Sequence, residues 1–345
     1  MPATSTRTIE LGPGRSVEVT LAEAGTGRTA LVLHGGGGPA TVQGIAAHLS
    51  GARHVLTPVH PGWDGTVRPP WLSSIGDLAA AYLRLLRDEG HQDVLVIGSS
   101  IGGWIGAEMA VRDETGLISS LVLIDSVGVL VEGQPIRDFF ALDARGVAEY
   151  SFYDADRFYV DPATVPPEQA AQRAANMATM RVFAGDPYMH DPGLPGRLGR
   201  VEIPVLVLWG DSDRIVTPGY GQALAAAFPQ AQFTVISQAG HLPQLEQPDA
   251  TFGALDAFIR KDPGPGSRPG TPASGRDPST RLTAPERRPA RPVRLRRRGS
   301  TRRHCRSARP AGAGRRQAAR ADRSGRSAPA GREYARGPRC RSGPG

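Results

Sequence analysis

Ser100 lies in Gly98-Ser99-Ser100-Ile101-Gly102, directly after the apolar, β-branched run Val94–Ile97 and directly before an apolar stretch of helical character, Ile101–Val111. A serine hydroxyl becomes a useful nucleophile only when a base takes its proton and its oxygen stands clear of the main chain. A tight turn between a buried strand and a helix provides that exposure, and Gly-x-Ser-x-Gly is the pattern such a turn requires. The serine is forced into a strained backbone conformation, tolerated only where Gly98 and Gly102 bring no Cβ into the crowded space. The first amides of the following helix then point at any anion formed nearby. The pentapeptide alone also fits a glycine-rich turn with a capping serine, so the rest of the chain has to decide.

The elements around this turn alternate regularly. Ile9–Leu11 and Ser16–Ala22 read as two edge strands joined by Gly12-Pro13-Gly14. Ala30–Leu33 reads as a buried strand running into His34-Gly35-Gly36-Gly37-Gly38-Pro39. A helix over Thr41–Leu49, a strand over His54–Val59 and an amphipathic helix over Ser73–Glu89 follow, the last with Ile75, Leu78, Ala79, Tyr82, Leu83 and Leu86 on one face. Leu117–Ile124 is the next strand and ends at Asp125. Between Val127 and Arg200 no buried β run occurs, and helical pieces rich in Phe, Tyr and Met are interrupted by proline. Regularity returns with the strand Val205–Trp209, which ends in Gly210-Asp211-Ser212-Asp213. A helix from Gly219 to Phe228, a strand over Gln232–Ile236, the loop Gln238–Pro243 and a helix over Ala250–Arg260 complete the series. Strands alternating with helices mean a mostly parallel sheet covered on both faces.

The 345 residues are of two kinds. Residues 1–260 hold 17 basic and 28 acidic residues, a net charge of −11, and are long enough for one large α/β domain. Residues 261–345 hold 24 basic and 5 acidic residues, a net charge of +19, and few large apolar groups. Such a segment cannot offset the entropy of ordering itself, so a disordered tail is expected. Both cysteines, Cys305 and Cys340, fall in it, which leaves thiolate catalysis, disulfides and Cys-ligated metal out of the body. No stretch has the length and apolarity of a signal peptide core or a membrane span, and the expected location is cytoplasmic.

At four separate strand ends the sequence resembles the α/β-hydrolase family. His34-Gly35-Gly36-Gly37 is similar to that family's oxyanion loop, Gly98–Gly103 to its nucleophile elbow, Trp209–Arg214 to its acid loop, and Gly240-His241 with Gln244 and Glu246 to its histidine loop. The order Ser, Asp, His along the chain is the one that fold uses. The resemblance implies a mostly parallel eight-stranded sheet with helices on both faces. The core would comprise residues 1–126 and 201–260, and 127–200 a helical cap. It also implies roles. Ser100 would be the nucleophile, and His241 the base and then the acid, since an imidazole titrates near neutrality. Asp213 would hold the imidazole tautomer, with Asp211 and Asp125 as competitors for that place. The amide of Ile101 and one from the glycine loop, Gly36 before Gly35 or Gly37, would stabilise the oxyanion.

The remaining candidates read as supporting groups. His34 braces its loop, Ser99 is a hydrogen-bonding neighbour of the nucleophile, and Trp104 packs in the core. His60, Trp63 and Asp64 are structural or pocket wall. His48, His54, His91 and His190 show no metal-ligand spacing, so neither metal nor cofactor is expected. Arg173 and Arg181 are placed on a solvated helix face before a carboxylate site. The apolar composition of the cap points to a small, largely apolar substrate. Carboxylic ester hydrolysis through an acyl-enzyme is the expected activity. Hydrolysis of a carbon–carbon bond, as in the loosely similar meta-cleavage-product hydrolases, and slow-turnover ligand sensing are the alternatives. The arginine run Arg294-Leu295-Arg296-Arg297-Arg298 could attract a polyanion, but it carries no repeat and no nucleic-acid module, and nucleic-acid binding is not expected. An Arg, Pro, Gly, Ala and Ser mixture is also what an out-of-frame reading of GC-rich DNA produces, and no function is read from it.

Overall fold

The computed structural model describes residues 3–261. In chain order the elements are β1 (Ala3–Glu10), β2 (Ser16–Ala24), β3 (Thr29–Leu33), α1 (Gln43–Leu49), β4 (His54–Val59), α2 (Ile75–Asp88), β5 (Val94–Ser99), α3 (Ile101–Arg112) and β6 (Ile118–Ile124). Then come α4 (Ala144–Ser151), α5 (Ala155–Phe158), α6 (Pro167–Ala184), α7 (Pro195–Leu198), β7 (Val205–Gly210), α8 (Pro218–Ala226), β8 (Ala231–Ile236), α9 (Pro243–Glu246) and α10 (Pro248–Lys261).

The strands form one eight-stranded sheet in the order β1-β2-β4-β3-β5-β6-β7-β8. β1 pairs antiparallel with β2, and β2 antiparallel with β4; every later pair is parallel. Two expectations change. β1 is longer than the apolar pattern indicates, because its first residues are polar and exposed and are held by the ladder to β2 (Ala3↔Glu23 to Glu10↔Ser16). β2 is interior, paired on both sides, so only β1 is an edge at this end of the sheet.

Alternation along each parallel strand sends side chains to two separate cores. Leu31, Leu33, Val94, Val96, Leu121, Leu123, Val205 and Val207 face α2, α3 and α8. Ala30, Val32, Leu95, Ile97, Val122, Ile124, Leu206 and Leu208 face α1 and α10. Each fully buried Leu, Ile or Val contributes about 1.5–3 kcal/mol relative to exposure, which is why the sheet holds its strand ends rigidly. The amphipathic face expected for α2 is buried as read, and Ser74 caps the helix by accepting from the Asp77 amide. Among the described residues no helix is long and apolar enough to cross a membrane. The expected tail, with Cys305 and Cys340, lies outside the described residues apart from Lys261, which ends α10.

The order matters for function. From β3 the chain goes first to β4 on one side and then to β5 on the other, so the sheet has its switch point between β3 and β5. Loops at the carboxyl ends of such neighbours diverge and leave a crevice. The loop after β3 and the turn after β5 are the two that flank it. Between β6 and β7 the described chain is helical, with short 3-10 turns and one isolated bridge between Gly128 and His190.

Candidate active site

The turn after β5 has the geometry its residues require. Ser100 has φ 56° and ψ −120° and makes no capping hydrogen bond with its side chain, which removes the capping-serine reading. A Cβ on Gly98 would stand 2.1 Å from the Gly102 carbonyl oxygen, and one on Gly102 would stand 2.3 Å from the Leu33 carbonyl oxygen. Contacts that short are impossible against backbone, so both positions need glycine.

Ser100, His241 and Asp213 meet at the sheet's carboxyl edge. His241 Nε2 lies 2.9 Å from Ser100 Oγ, and His241 Nδ1 lies 2.8 Å from Asp213 Oδ2. Asp213 is buried, and its Oδ1 accepts from the amides of Ile215 (2.8 Å) and Val216 (3.2 Å). Both carboxylate oxygens are therefore occupied, one by its own loop and one by the imidazole, a pattern that fixes the ring's orientation. Trp209 Nε1 donates to the Val216 carbonyl and ties the same loop to β7.

Of the three candidate aspartates, only Asp213 hydrogen-bonds His241 among the described residues. Asp211 is exposed and hydrogen-bonds its loop, accepting from Ser212 Oγ and the Gln238 amide. Asp125 is fully buried at φ 44°, with Oδ1 accepting from the Gly210 amide at 3.0 Å. Burial first, then the charge of Asp213, pushes its carboxyl well above the usual carboxylate range. Asp125, Asp213 and His241 bring one ligand-type atom each within 4.8 Å of one another, the one group among the described residues that could hold a metal ion. The histidine's two nitrogens already face Asp213 and Ser100, however, so the donors are turned to each other and a metal is a poor fit.

The glycine loop lies against the nucleophile: a Cβ on Gly35 would be 2.9 Å from Ser100 Cβ. Two of its carbonyls are engaged by side chains. Gly35 O pairs with His34 Nδ1 and Gly36 O accepts from Trp63 Nε1. His34 Nε2 accepts from the His60 amide, and His60 reaches the His34 carbonyl and the Tyr82 hydroxyl. Both imidazoles are wholly buried, and burial lowers the pKa of His34 to about 4 and that of His60 well below its ordinary value. They are neutral braces, as expected for His34. No hydrogen bond among the described residues engages the amide of Gly36, nor that of Ile101, which opens α3 and has no acceptor within it.

Several supporting contacts were not legible. Glu246 accepts from the amides of Gly240, Tyr153 (2.9 Å) and Asp154 (3.1 Å), and the His241 amide donates to Ser151 O at 2.6 Å. These bonds join the histidine loop to the helices after β6. The motif around His241 contained Glu246, but two of its three partners, Tyr153 and Asp154, are 93 and 92 residues away. Gln244 donates to Ser99 Oγ (3.2 Å), giving Ser99 the neighbouring role expected of it. Asn176 on α6 bonds Asp64 twice, and Thr179 bonds Gly62 O. Beside the glycine loop lies a cavity of about 550 Å³, lined mainly by apolar groups including Phe139, Phe152, Phe158 and Met177, with Gly36 and Gly37 at one side. Arg173 also lines it, while Arg181 lies over the Phe140 ring.

An open, mostly parallel sheet with a serine-bearing turn at its switch point is the architecture of the α/β-hydrolase fold. The chain belongs to the alpha/beta hydrolase family, whose family model matches residues 30–254. Over 260 residues it is 28% identical to the dihydrolipoyllysine-residue acetyltransferase component of the acetoin cleaving system of Pseudomonas putida, covering 69% of this chain and 65% of that one, just under two thirds of its length. It is 27% identical to lipase 3 of Moraxella sp. (68% and 78% covered). It is 25% identical to a 2-hydroxy-6-oxononadienedioate/2-hydroxy-6-oxononatrienedioate hydrolase of Paraburkholderia phymatum (74% and 96% covered). A serine hydrolase involved in carbazole degradation shares the fold, with a TM-score of 0.59 at 22% identity over 75% of this chain and 99% of that one.

Proposed function

We propose that this protein is a serine hydrolase that cleaves a small, largely apolar ester or related acyl substrate through an acyl-enzyme. The observation that carries the reading is the hydrogen-bonded chain Ser100 Oγ–His241 Nε2 (2.9 Å) and His241 Nδ1–Asp213 Oδ2 (2.8 Å) on a turn-mounted serine. His241 takes the Ser100 proton as Oγ attacks the carbonyl, and Asp213 stabilises the imidazolium so formed. The amides of Ile101 and Gly36 stabilise the oxyanion, a contribution of about 3–4 kcal/mol per donor in comparable sites. His241 returns the proton to the leaving group. Water then attacks the acyl-enzyme, with His241 again as base, and releases the acid and free Ser100. No cofactor enters these steps.

The helices between β6 and β7 act as the cap of this reading, and the cavity of about 550 Å³ that they line with Phe139, Phe152 and Phe158 receives the acyl group. Hydrolysis of a carbon–carbon bond is the second reading, favoured by the match along 96% of the dienedioate hydrolase.

The test is intact-mass labelling with a fluorophosphonate, followed by turnover of p-nitrophenyl esters of graded chain length beside a vinylogous diketone. One adduct on the native protein, absent from Ser100→Ala and strongly slowed in His241→Ala, is the expected result. Equal labelling of Ser100→Ala would overturn the nucleophile, and turnover of the diketone alone would replace the ester reading by the second.

A further inference from the structure

Asp125 is not used by the mechanism above, yet its carboxyl is buried next to the carboxylate of Asp213. It follows β6 directly, its side chain is fully buried, and it shares a space of 4.8 Å with Asp213 and His241. Its two oxygens have different surroundings. Oδ1 accepts from the Gly210 amide at 3.0 Å, whereas Oδ2 is buried with no hydrogen-bond donor among the described residues. A buried carboxylate oxygen without a donor, beside a second carboxylate, is an arrangement proteins avoid, because neither desolvation nor repulsion is compensated. One proton removes both penalties: placed on Oδ2, it turns an orphaned acceptor into a donor next to a carboxylate that accepts.

We propose that Asp125 is a neutral carboxylic acid whose Oδ2 hydroxyl donates to Asp213, making it a positioning residue for the Ser100–His241–Asp213 chain. This rests on the serine-hydrolase reading for its functional consequence, but not for the protonation itself. Asp213 then receives donors from the amides of Ile215 and Val216, from His241 and from Asp125. The groups facing Asp125 agree with a proton there. Asp213 from the loop after β7 and Glu246 from α9 both oppose a negative charge on it, and burial opposes it most. His241, the nearest cation when protonated, is turned to Asp213.

The linkage has a definite sign. Above about pH 4 the unfolded chain has released the Asp125 proton while the folded chain keeps it. Folding therefore takes up a proton, and Asp125 lowers stability progressively as pH rises toward its folded pKa. Asparagine is the isostere of the neutral acid: its carbonyl can accept from Gly210 and its amide can donate to Asp213, with no proton to hold.

The experiment compares the full-length native protein with Asp125→Asn and Asp125→Leu in two readouts, thermal unfolding from pH 5 to pH 8 and ester kcat/KM. The Asn variant is expected to unfold at a higher temperature than the native protein, by a margin that widens with pH, and to stay within about threefold in kcat/KM. The Leu variant is expected to lose roughly ten- to a hundredfold in kcat/KM, the scale of a displaced catalytic group. A margin for Asn that is negative, or that shrinks as pH rises, overturns the protonation. Equal losses for Asn and Leu overturn the positioning role, and if Leu does not fold, a tenfold loss in Asn alone does so. Absence of fluorophosphonate labelling in the native protein would instead remove the hydrolase reading and leave the unfolding result to stand on its own.

Discussion

The carboxyl edge of the sheet and the helical segment between β6 and β7 both contribute to the site, by opposite means. At the edge, Ser100, Asp213 and Asp125 follow strands whose neighbours are paired residue for residue, such as Ser99↔Ile124 and Ile124↔Leu208. Their freedom is removed by ladders, by glycines pressed on backbone and by buried hydrogen bonds. The helical segment has an exposed α6, with only Asn176, Met180, Phe183 and Ala184 buried; it joins the core through a limited set of apolar groups, such as Met180, Phe183, Met189 and Leu194, and through polar anchors from Glu246 to Tyr153 and Asp154, Asn176 to Asp64, and Thr179 to Gly62. On the proposed function, the chemistry falls on the part held by ladders and the selectivity on the part shaped by a few side chains.

That contrast gives a graded series of substitutions. Ser100→Ala should abolish fluorophosphonate labelling and lower ester kcat by about 10⁶-fold, the scale seen when a triad nucleophile is removed. Asp213→Asn should keep the fold and lower kcat by about 10⁴-fold, measured with p-nitrophenyl acetate, because the imidazole loses its tautomer control. If Asp213→Asn cost less than tenfold, the edge would not be the rigid half of the comparison.

A stability effect comes next. His34 and His60 are held neutral by burial, His34 with a pKa of about 4. Below about pH 6.5 the unfolded chain binds protons on these rings while the folded chain does not, so stability falls as pH is lowered through this window and His34 stops contributing below about pH 4. The loss from His34 approaches roughly 3 kcal/mol, about a hundredfold in the folding constant, read as a falling urea midpoint from pH 7 to pH 4.5. His34→Gln should flatten that slope.

Smaller effects belong to the helical segment. Glu246→Gln keeps one acceptor but removes the charge that gathers three amides, and should lower kcat/KM by about tenfold, with about 1–3 kcal/mol of stability lost. Phe158→Ala, which removes half of the Phe152–Phe158 stack (4.5 Å between centroids) beside the cavity, should shift preference toward longer acyl chains by about three- to tenfold while labelling of Ser100 is unchanged. A change in labelling rate larger than the change in chain preference would mean that the two regions are not separable.

Much of the core was legible in the chain because its rules are local. Continuous apolar runs of Val, Ile and Leu mark strands buried on both faces. The glycines two residues either side of Ser100 mark a turn where no Cβ fits, and the apolar face from Ile75 to Leu86 marks α2, whereas its cap at Ser74 emerges from the structure. The polar first half of β1 was not legible, since its residues are strand only because β2 is beside them. Nor was the interior position of β2, which depends on β4 arriving from more than thirty residues later.

What the sequence by itself determined is the set of candidate groups and the order of their elements: a serine on a tight turn, an aspartate and a histidine at later strand ends, and a glycine loop after β3. The tertiary structure alone decided which of three aspartates meets His241, that Asp125 lies buried beside it with an oxygen lacking a donor, and that Glu246 ties the histidine loop to Tyr153 and Asp154. The reason is the range of the forces involved. Strand, turn and cap preferences act over a few residues and leave a mark in the sequence, whereas burial, charge repulsion and a shared proton depend on groups that only the closed sheet brings together.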